Sequence, residues 1–215
     1  MSAVLFDIDG TLVDSNFLHV DAWARAFRDL ELFVPSWRIQ RLIGADSSEL
    51  LDQLVGDERD DVKERAKQLH SEHYRDLIPR LEVFPGAREL VGALAAQGVR
   101  VVLATSAPAE ELEALLAVLD IADVTFAVTS SEDVENAKPN PDIIAVALQK
   151  ADVPADQAIM IGDSVWDVVA AGKAGVHAIG LLSGGTGRDD LLDAGADIVY
   201  DDIAGIDPMA LALQR

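Results

Sequence analysis

The sequence contains no cysteine. That absence excludes disulfides, thiolate zinc sites, iron–sulfur ligation and a cysteine nucleophile. Basic residues are scarce: 17 Lys and Arg stand against 38 Asp and Glu, a net charge of −21 and a pI near 4.3. A field of that sign repels nucleic acid and anionic membrane, so neither is an expected partner. No apolar run approaches the roughly 20 residues needed to cross a bilayer. The opening MSAVLFDIDG has neither a basic segment nor a long apolar one, unlike a secretion signal. These features are those expected of a soluble, cytoplasmic protein. With 50% hydrophobic and 26% charged residues, the composition is that of a folded chain. Its 215 residues suffice for one large domain, or for a core carrying a smaller insertion.

The acidic excess is uneven. Residues 16–80 carry 10 Lys and Arg against 13 Asp and Glu, a net of −3, and the remainder carries 7 against 25, a net of −18. The same near-neutral stretch has its own periodicity. Val20, Trp23, Ala24, Phe27 and Leu30 fall at helical spacing, and 47–55 and 59–78 also read as helices. After Pro85-Gly86 the pattern changes to alternation. Short apolar strands are expected at 99–105, 124–128, 158–162, 176–181 and 197–200, with helices at 87–97, 110–119, 141–151, 165–174 and 189–194. A further strand at 3–8 precedes the helical stretch. Continuous apolar strands separated by helices predict an α/β fold, a doubly wound parallel sheet covered on both faces. The expected division is therefore a core of 1–15 and 81–215, with 16–80 as a helical insertion after the first strand.

In such a sheet, ligands bind beyond the carboxyl ends of the strands. The first strand ends in Asp7-Ile8-Asp9-Gly10-Thr11 and the second in Thr105-Ser106. A later loop carries Lys138-Pro139-Asn140-Pro141, and another strand ends in Gly162-Asp163-Ser164 with Asp167 soon after. Carboxylates, a hydroxyl and a lysine thus converge on one crevice. Converging carboxylates repel and call for a cation. All-oxygen ligation points to Mg²⁺, a hard ion that keeps some of its waters and recruits a phosphate. Phosphoryl transfer needs an in-line nucleophile, which Asp7 can supply, and a proton donor, which Asp9 can supply.

In order along the chain, DIDGTLVDS, Thr105, the lysine of KPNP and GDSVWDV resemble the four motifs of the haloacid dehalogenase superfamily. The resemblance covers essentially the whole chain. The insertion between the first two motifs resembles the helical cap of the subgroup containing phosphoglycolate phosphatases and β-phosphoglucomutases. The resemblance implies that Asp7 forms an aspartyl-phosphate and ligates Mg²⁺. Asp9 would protonate the leaving oxygen, deprotonate the attacking water and give its backbone carbonyl to the metal. Thr105 and the backbone at Ser106 would hold the phosphoryl group, and Lys138 would bind the same oxygens. Asp163 would ligate the metal and Asp167 would support it from behind. Gly10 and Thr11 would let the backbone approach the phosphate and hold the loop. HVDAW resembles the start of such caps, which places His19 between packing and lining the cleft and Trp23 in packing. Arg41 and Gly44, in RLIGADS, fall where these caps carry a substrate-facing loop. The glycines of 183–187 lack the Gly-Lys-Ser/Thr ending of a P-loop and read as a turn.

The expected activity is Mg²⁺-dependent hydrolysis of a small phosphorylated metabolite, phosphoglycolate- or sugar-phosphate-like. The alternatives are a β-phosphoglucomutase-like phosphomutase and a non-catalytic phosphate-binding member. Mutases of that type usually place Lys-Asn after the second motif and an arginine three residues beyond the cap-loop glycine. Those places hold Pro108-Ala109 and Ser47 here. Dehalogenases of the superfamily lack the acid two residues after the nucleophile, and Asp9 is present.

Overall fold

The computed structural model describes residues 2–134 and 138–213. Strand β1 (Ala3–Phe6) leads into the two-residue strand β2 (Val13–Asp14). Four helices follow: α1 (Asn16–Asp29), α2 (Ser36–Gln40), α3 (Ser47–Val55) and α4 (Asp60–Leu77). Strand β3 (Glu82–Val83) closes this excursion by pairing antiparallel with β2. The chain then alternates through α5 (Ala87–Ala96), β4 (Arg100–Ala104), α6 (Ala109–Leu119), β5 (Ala127–Thr129), α7 (Asp142–Ala151) and β6 (Ala158–Gly162). It ends with α8 (Val165–Lys173), β7 (His177–Leu181), α9 (Arg188–Asp193), β8 (Ile198–Tyr200) and α10 (Pro208–Leu213).

Six strands form one sheet in the order β5-β4-β1-β6-β7-β8, every adjacent pair parallel. The fold is therefore the α/β, doubly wound arrangement. Its strands are apolar on both sides because both faces are buried. Val4 and Phe6 of β1 join Leu103, Ile161, Leu90 and Leu115 on one face, while Ala3 and Leu5 join Val102, Met160, Ile144 and Val168 on the other. From β1 the chain runs outward to β4 and β5, then returns to β6 on the opposite side of β1. The strand order reverses there, and the crevice at such a reversal is where α/β sheets bind ligands.

The four helices between β2 and β3 have an apolar cluster of their own, built on Trp23, Phe27, Ile39, Leu51 and Leu54. They are not isolated from the sheet: Leu18, Ala22, Tyr74 and Leu77 belong to the cluster that covers the core.

Some strands are shorter than the sequence suggests. The expected strand 124–128 becomes β5 at Ala127–Thr129, preceded by a 3₁₀ turn at Ala122–Val124. Helix α2, the β2–β3 ladder and α10 are absent from the sequence reading because each is too short to show a period. Leu103 of β4 is fully buried. Leu103→Ala is expected to lower stability by about 2–5 kcal/mol, read from the midpoint of urea unfolding. A loss under about 1 kcal/mol would contradict this packing.

Candidate active site

Asp7 directly follows β1, and its amide donates to Ile161 O at 3.0 Å, so its carboxylate is placed by the two central strands. Lys138 is 1% exposed and lies beside it. Its Nζ donates to Asp7 Oδ1 at 2.6 Å and to Ala104 O at 2.8 Å, and pairs with Asp167 Oδ1 at 2.7 Å. Ser164 caps α8 and donates from its amide and hydroxyl to Asp167 Oδ2, at 3.1 and 2.6 Å. Asp163, at the end of β6, accepts from Thr11 Oγ1 at 3.0 Å and from Asn16 Nδ2 at 2.8 Å.

One carboxylate oxygen each from Asp7, Asp163 and Asp167 lies within 4.8 Å of the others, and all three residues are buried. Three carboxylates face one ammonium, which leaves two negative charges uncompensated. The protein registers that deficit in proton affinity. Burial pushes the Asp7 carboxyl well up, with Lys138 opposing and the neighbouring acids adding to the rise. Burial and the charge of Asp167 push Asp163 up to about 7, against the hydrogen bonds from Asn16 and Thr11. Burial disfavours the Lys138 ammonium, but Asp167 and Asp7 outweigh it and raise its proton affinity. Hard oxygen donors with two unmatched charges fit a divalent cation such as Mg²⁺.

Asp9 is turned away from that cluster. Its Oδ1 accepts from Ser15 Oγ at 2.5 Å and lies 3.3 Å from His19 Nε2. Burial opposes its ionisation, yet His19 and Ser15 prevail and hold the carboxyl below its ordinary value. Behind His19 runs a buried series. His19 Nδ1 lies 3.2 Å from His70 Nε2, and His70 Nδ1 lies 3.9 Å from Glu111 Oε1. The His19 ring stacks on Tyr74 with centroids 4.0 Å apart, and His70 stacks on Trp23 at 4.3 Å. Burial works against the His19 cation, but the bond to Asp9 and the charges of Asp9 and Glu111 raise its proton affinity. Burial and the charges of His19 and His73 hold His70 well below its ordinary value. One consistent assignment follows: His19 donates to Asp9 and to His70, and neutral His70 presents its remaining N–H to Glu111.

A cavity of about 180 Å³ opens over these groups, between the strand ends and the helical stretch. Asp7, Asp9, Thr105, Ser106 and His19 line it, together with Gly44, Ser47 and Lys67. Thr105 Oγ1 accepts from the Ala107 amide at 3.0 Å and keeps its own proton to donate. Ser106 Oγ is buried without a partner among the described residues.

Three sequence expectations change. Arg41 is exposed and lines a separate groove with Trp166 and Gly185. Gly10 and Thr11 do not line the cavity either. Thr11 N donates to Ile8 O and Gly10 N to Val13 O, and this tight turn carries the Thr11 hydroxyl beneath the loop to Asp163. Finally, the 183–187 turn is more than a connection: Ser183 Oγ donates to Gly10 O, and Gly184 O accepts from Asn16.

Sequence reasoning did not single out Ser15, Asn16, Lys67, His70 or Glu111. Ser15 and Asn16 lie next to the first motif and could have been flagged by proximity. Lys67, His70 and Glu111 carry no local signal and reach the site only through helix packing.

A phosphoglycolate phosphatase from Rhodospirillum rubrum is 34% identical over 95% of this chain and 88% of its own length. A phosphorylated carbohydrates phosphatase from Thermotoga maritima is 29% identical over 91% of this chain and 92% of its own. The crystal structure of a hydrolase from Pseudomonas syringae superposes with a TM-score of 0.90 at 33% identity, covering 94% of each chain. The sequence model describing haloacid dehalogenase-like hydrolases matches residues 4–181, from β1 to the end of β7. On that span and that likeness, the chain belongs to the haloacid dehalogenase-like hydrolase family.

Proposed function

We propose that the chain is a Mg²⁺-dependent phosphatase that hydrolyses a small phosphorylated metabolite through a phosphoryl-aspartate at Asp7. The observation that carries this reading is the buried Asp7, Asp163 and Asp167 cluster around Lys138, placed where the strand order reverses. The similarity to phosphatases named for phosphoglycolate and for phosphorylated carbohydrates supports the reaction class. The small cavity supports a metabolite rather than a macromolecule.

In this reading the side chains of Asp7 and Asp163 and the backbone carbonyl of Asp9 would hold the cation, with Asp167 supporting from behind through Lys138. The bound cation would supply positive charge against the phosphoryl oxygens. Lys138 fixes Asp7 through Oδ1 and leaves Oδ2 to attack phosphorus. As the phosphorus–Asp7 bond forms, the bond to the ester oxygen breaks, and Asp9 delivers a proton to that oxygen. A water then attacks phosphorus, Asp9 takes its proton, and the phosphorus–Asp7 bond breaks to release phosphate. Asp9 rests ionised beside His19, the state that accepts a proton from water. The incoming phosphate's negative charge favours its protonated state for the first step. Thr105 and Ser106 offer hydroxyl and backbone donors to the phosphoryl oxygens. Residues 16–80 act as a cap that carries His19, Ser47 and Lys67 over the reacting group and excludes water during attack by Asp7.

Asp7→Asn retains volume and an acceptor for Lys138 but removes the attacking carboxylate. It is expected to fold and to release no measurable phosphate from p-nitrophenyl phosphate or 2-phosphoglycolate. Uncatalysed monoester hydrolysis is so slow that enzymes lower the barrier by up to roughly 20 kcal/mol or more. Turnover like that of the native protein would overturn the mechanism.

Without the cation, Asp163 binds its proton more tightly in the folded state, near pH 7, than in the unfolded chain, where about pH 4 is ordinary. Its contribution to stability is therefore present below about pH 4 and is lost as pH rises through about 7. Mg²⁺ competes with that proton. Mg²⁺ held at one concentration, about 100 times its Kd at pH 8, is expected to stabilise the protein there by about 2.7 kcal/mol. The gain in Tm should be larger at pH 8 than at pH 5. Equal gains at both pH values would remove Asp163 from the cation site.

Lys67 replaces Arg41 as the cation facing the substrate. Lys67→Ala is expected to raise KM for 2-phosphoglycolate roughly fivefold, from the loss of about 1 kcal/mol in a half-exposed charge contact. Arg41→Ala should leave KM unchanged, and steady-state kinetics on the pair distinguishes the two positions. The reverse pattern would return Arg41 to the site.

A further inference from the structure

Asn16 is the first residue of α1 and is buried. Its Nδ2 donates to Asp163 Oδ2 at 2.8 Å and to Gly184 O at 3.3 Å. The orientation of the amide is fixed by these partners. Reversing it would set its oxygen against a carboxylate oxygen and a carbonyl oxygen, with no donor between them. The amide oxygen consequently points elsewhere, where it is buried without a donor among the described residues.

The backbone is emptied around this amide from two sides. A Cβ on Gly10 would lie 2.6 Å from Asp163 Oδ2 and 2.7 Å from Asn16 Cγ, and one on Gly184 would lie 2.5 Å from Asn16 Nδ2. Side-chain carbons do not approach that closely, so the slot exists because two glycines form it. Gly10 comes from the turn after β1 and Gly184 from the turn after β7.

Asp163 is thereby gripped at both oxygens, by Thr11 on Oδ1 and by Asn16 on Oδ2. An ionised carboxylate has further lone pairs on each oxygen, so neither bond prevents ligation. Both bonds fix the plane of the group. Thr11 belongs to the turn that carries Asp7, whereas Asn16 begins the helical stretch. Ser15, one residue earlier, makes no capping bond to α1 and gives its hydroxyl to Asp9 instead. The start of α1 is thus committed to two carboxylates of the site.

We infer that Asn16 is a positioning residue that holds Asp163 in the orientation that ligates the divalent cation, and so ties the start of the helical stretch to cation occupancy. The inference rests on the proposed cation site. Hydrogen-bonding partners behind metal ligands typically contribute 10- to 100-fold to metal affinity.

The test is calorimetric titration of the metal-free protein with Mg²⁺, on the native chain, Asn16→Ala and Asn16→Leu. Leu keeps the branched shape of the side chain and lacks the amide, so it serves if the alanine variant does not fold. Expected are a Kd for Mg²⁺ raised 10- to 100-fold in the folded variants and a kcat that recovers toward the native value at saturating Mg²⁺. A purely structural role would lower the metal-free Tm and leave the Kd unchanged. A folded variant with native Mg²⁺ affinity overturns the inference while leaving the cation site intact. A native chain that binds no Mg²⁺ overturns the cation site itself, and the inference with it.

Discussion

Lys138 is buried at the point where two strand ends and a helix start meet, and the arrangement around it depends on its charge. Its ammonium contacts Asp7, Asp167 and the Ala104 carbonyl, and so joins β1, α8 and β4. Taking an ammonium out of water is costly unless it is paired and hydrogen-bonded, and here each of its three protons has an acceptor. Removing one partner from a buried pair of this kind costs about 3–5 kcal/mol. The same contacts leave Asp163 without its own positive partner. Three buried carboxylates around one lysine fit a divalent cation, which the proposed chemistry at Asp7 would use.

The acidic character of the chain and the proposed phosphorylated substrate are compatible because the two fields act at different ranges. The net charge of −21 is spread mostly over exposed residues and is screened within about 10 Å at 0.1 M salt. In the proposed site a cation and the buried Lys138 would act on a phosphate over a few ångströms. The helical stretch is nearly neutral and brings Lys67 and His19 to the cavity, so that side of the cavity repels an anion least.

Asp9 and Asp7 lie two residues apart and have opposite environments. Asp7 is held by Lys138 and raised in proton affinity by burial, whereas Asp9 is held ionised by Ser15 and His19. Divergent environments for neighbouring carboxylates suit the two roles proposed for this loop, nucleophile and proton carrier. His19 reaches Asp9 from α1, and His70 and Glu111 support it from α4 and α6. Asp9 is therefore oriented from the helical stretch as well as from the sheet.

Legible in the sequence were the alternation of strands and helices, the helical interruption after the first strand, and the gathering of Asp7, Asp9, Lys138, Asp163 and Asp167 at the strand ends. These were legible because they depend on local pattern: apolar runs of strand length, helical spacing, and acids standing at strand ends. Only the tertiary structure decided the direction of the side chains around them. Thr11 lies in the first motif yet turns beneath its loop to Asp163, and Arg41 lies in the expected loop yet faces another groove. Asn16, Lys67, His70 and Glu111 reach the site from positions whose spacing in the chain signals nothing. A hydrogen bond between Asn16 and Asp163 spans 147 residues, and the pairing of β1 with β6 brings the two ends together. Local periodicity reports which face of an element is apolar, whereas the meeting of two polar groups depends on how several elements pack, and a single sequence does not display that packing.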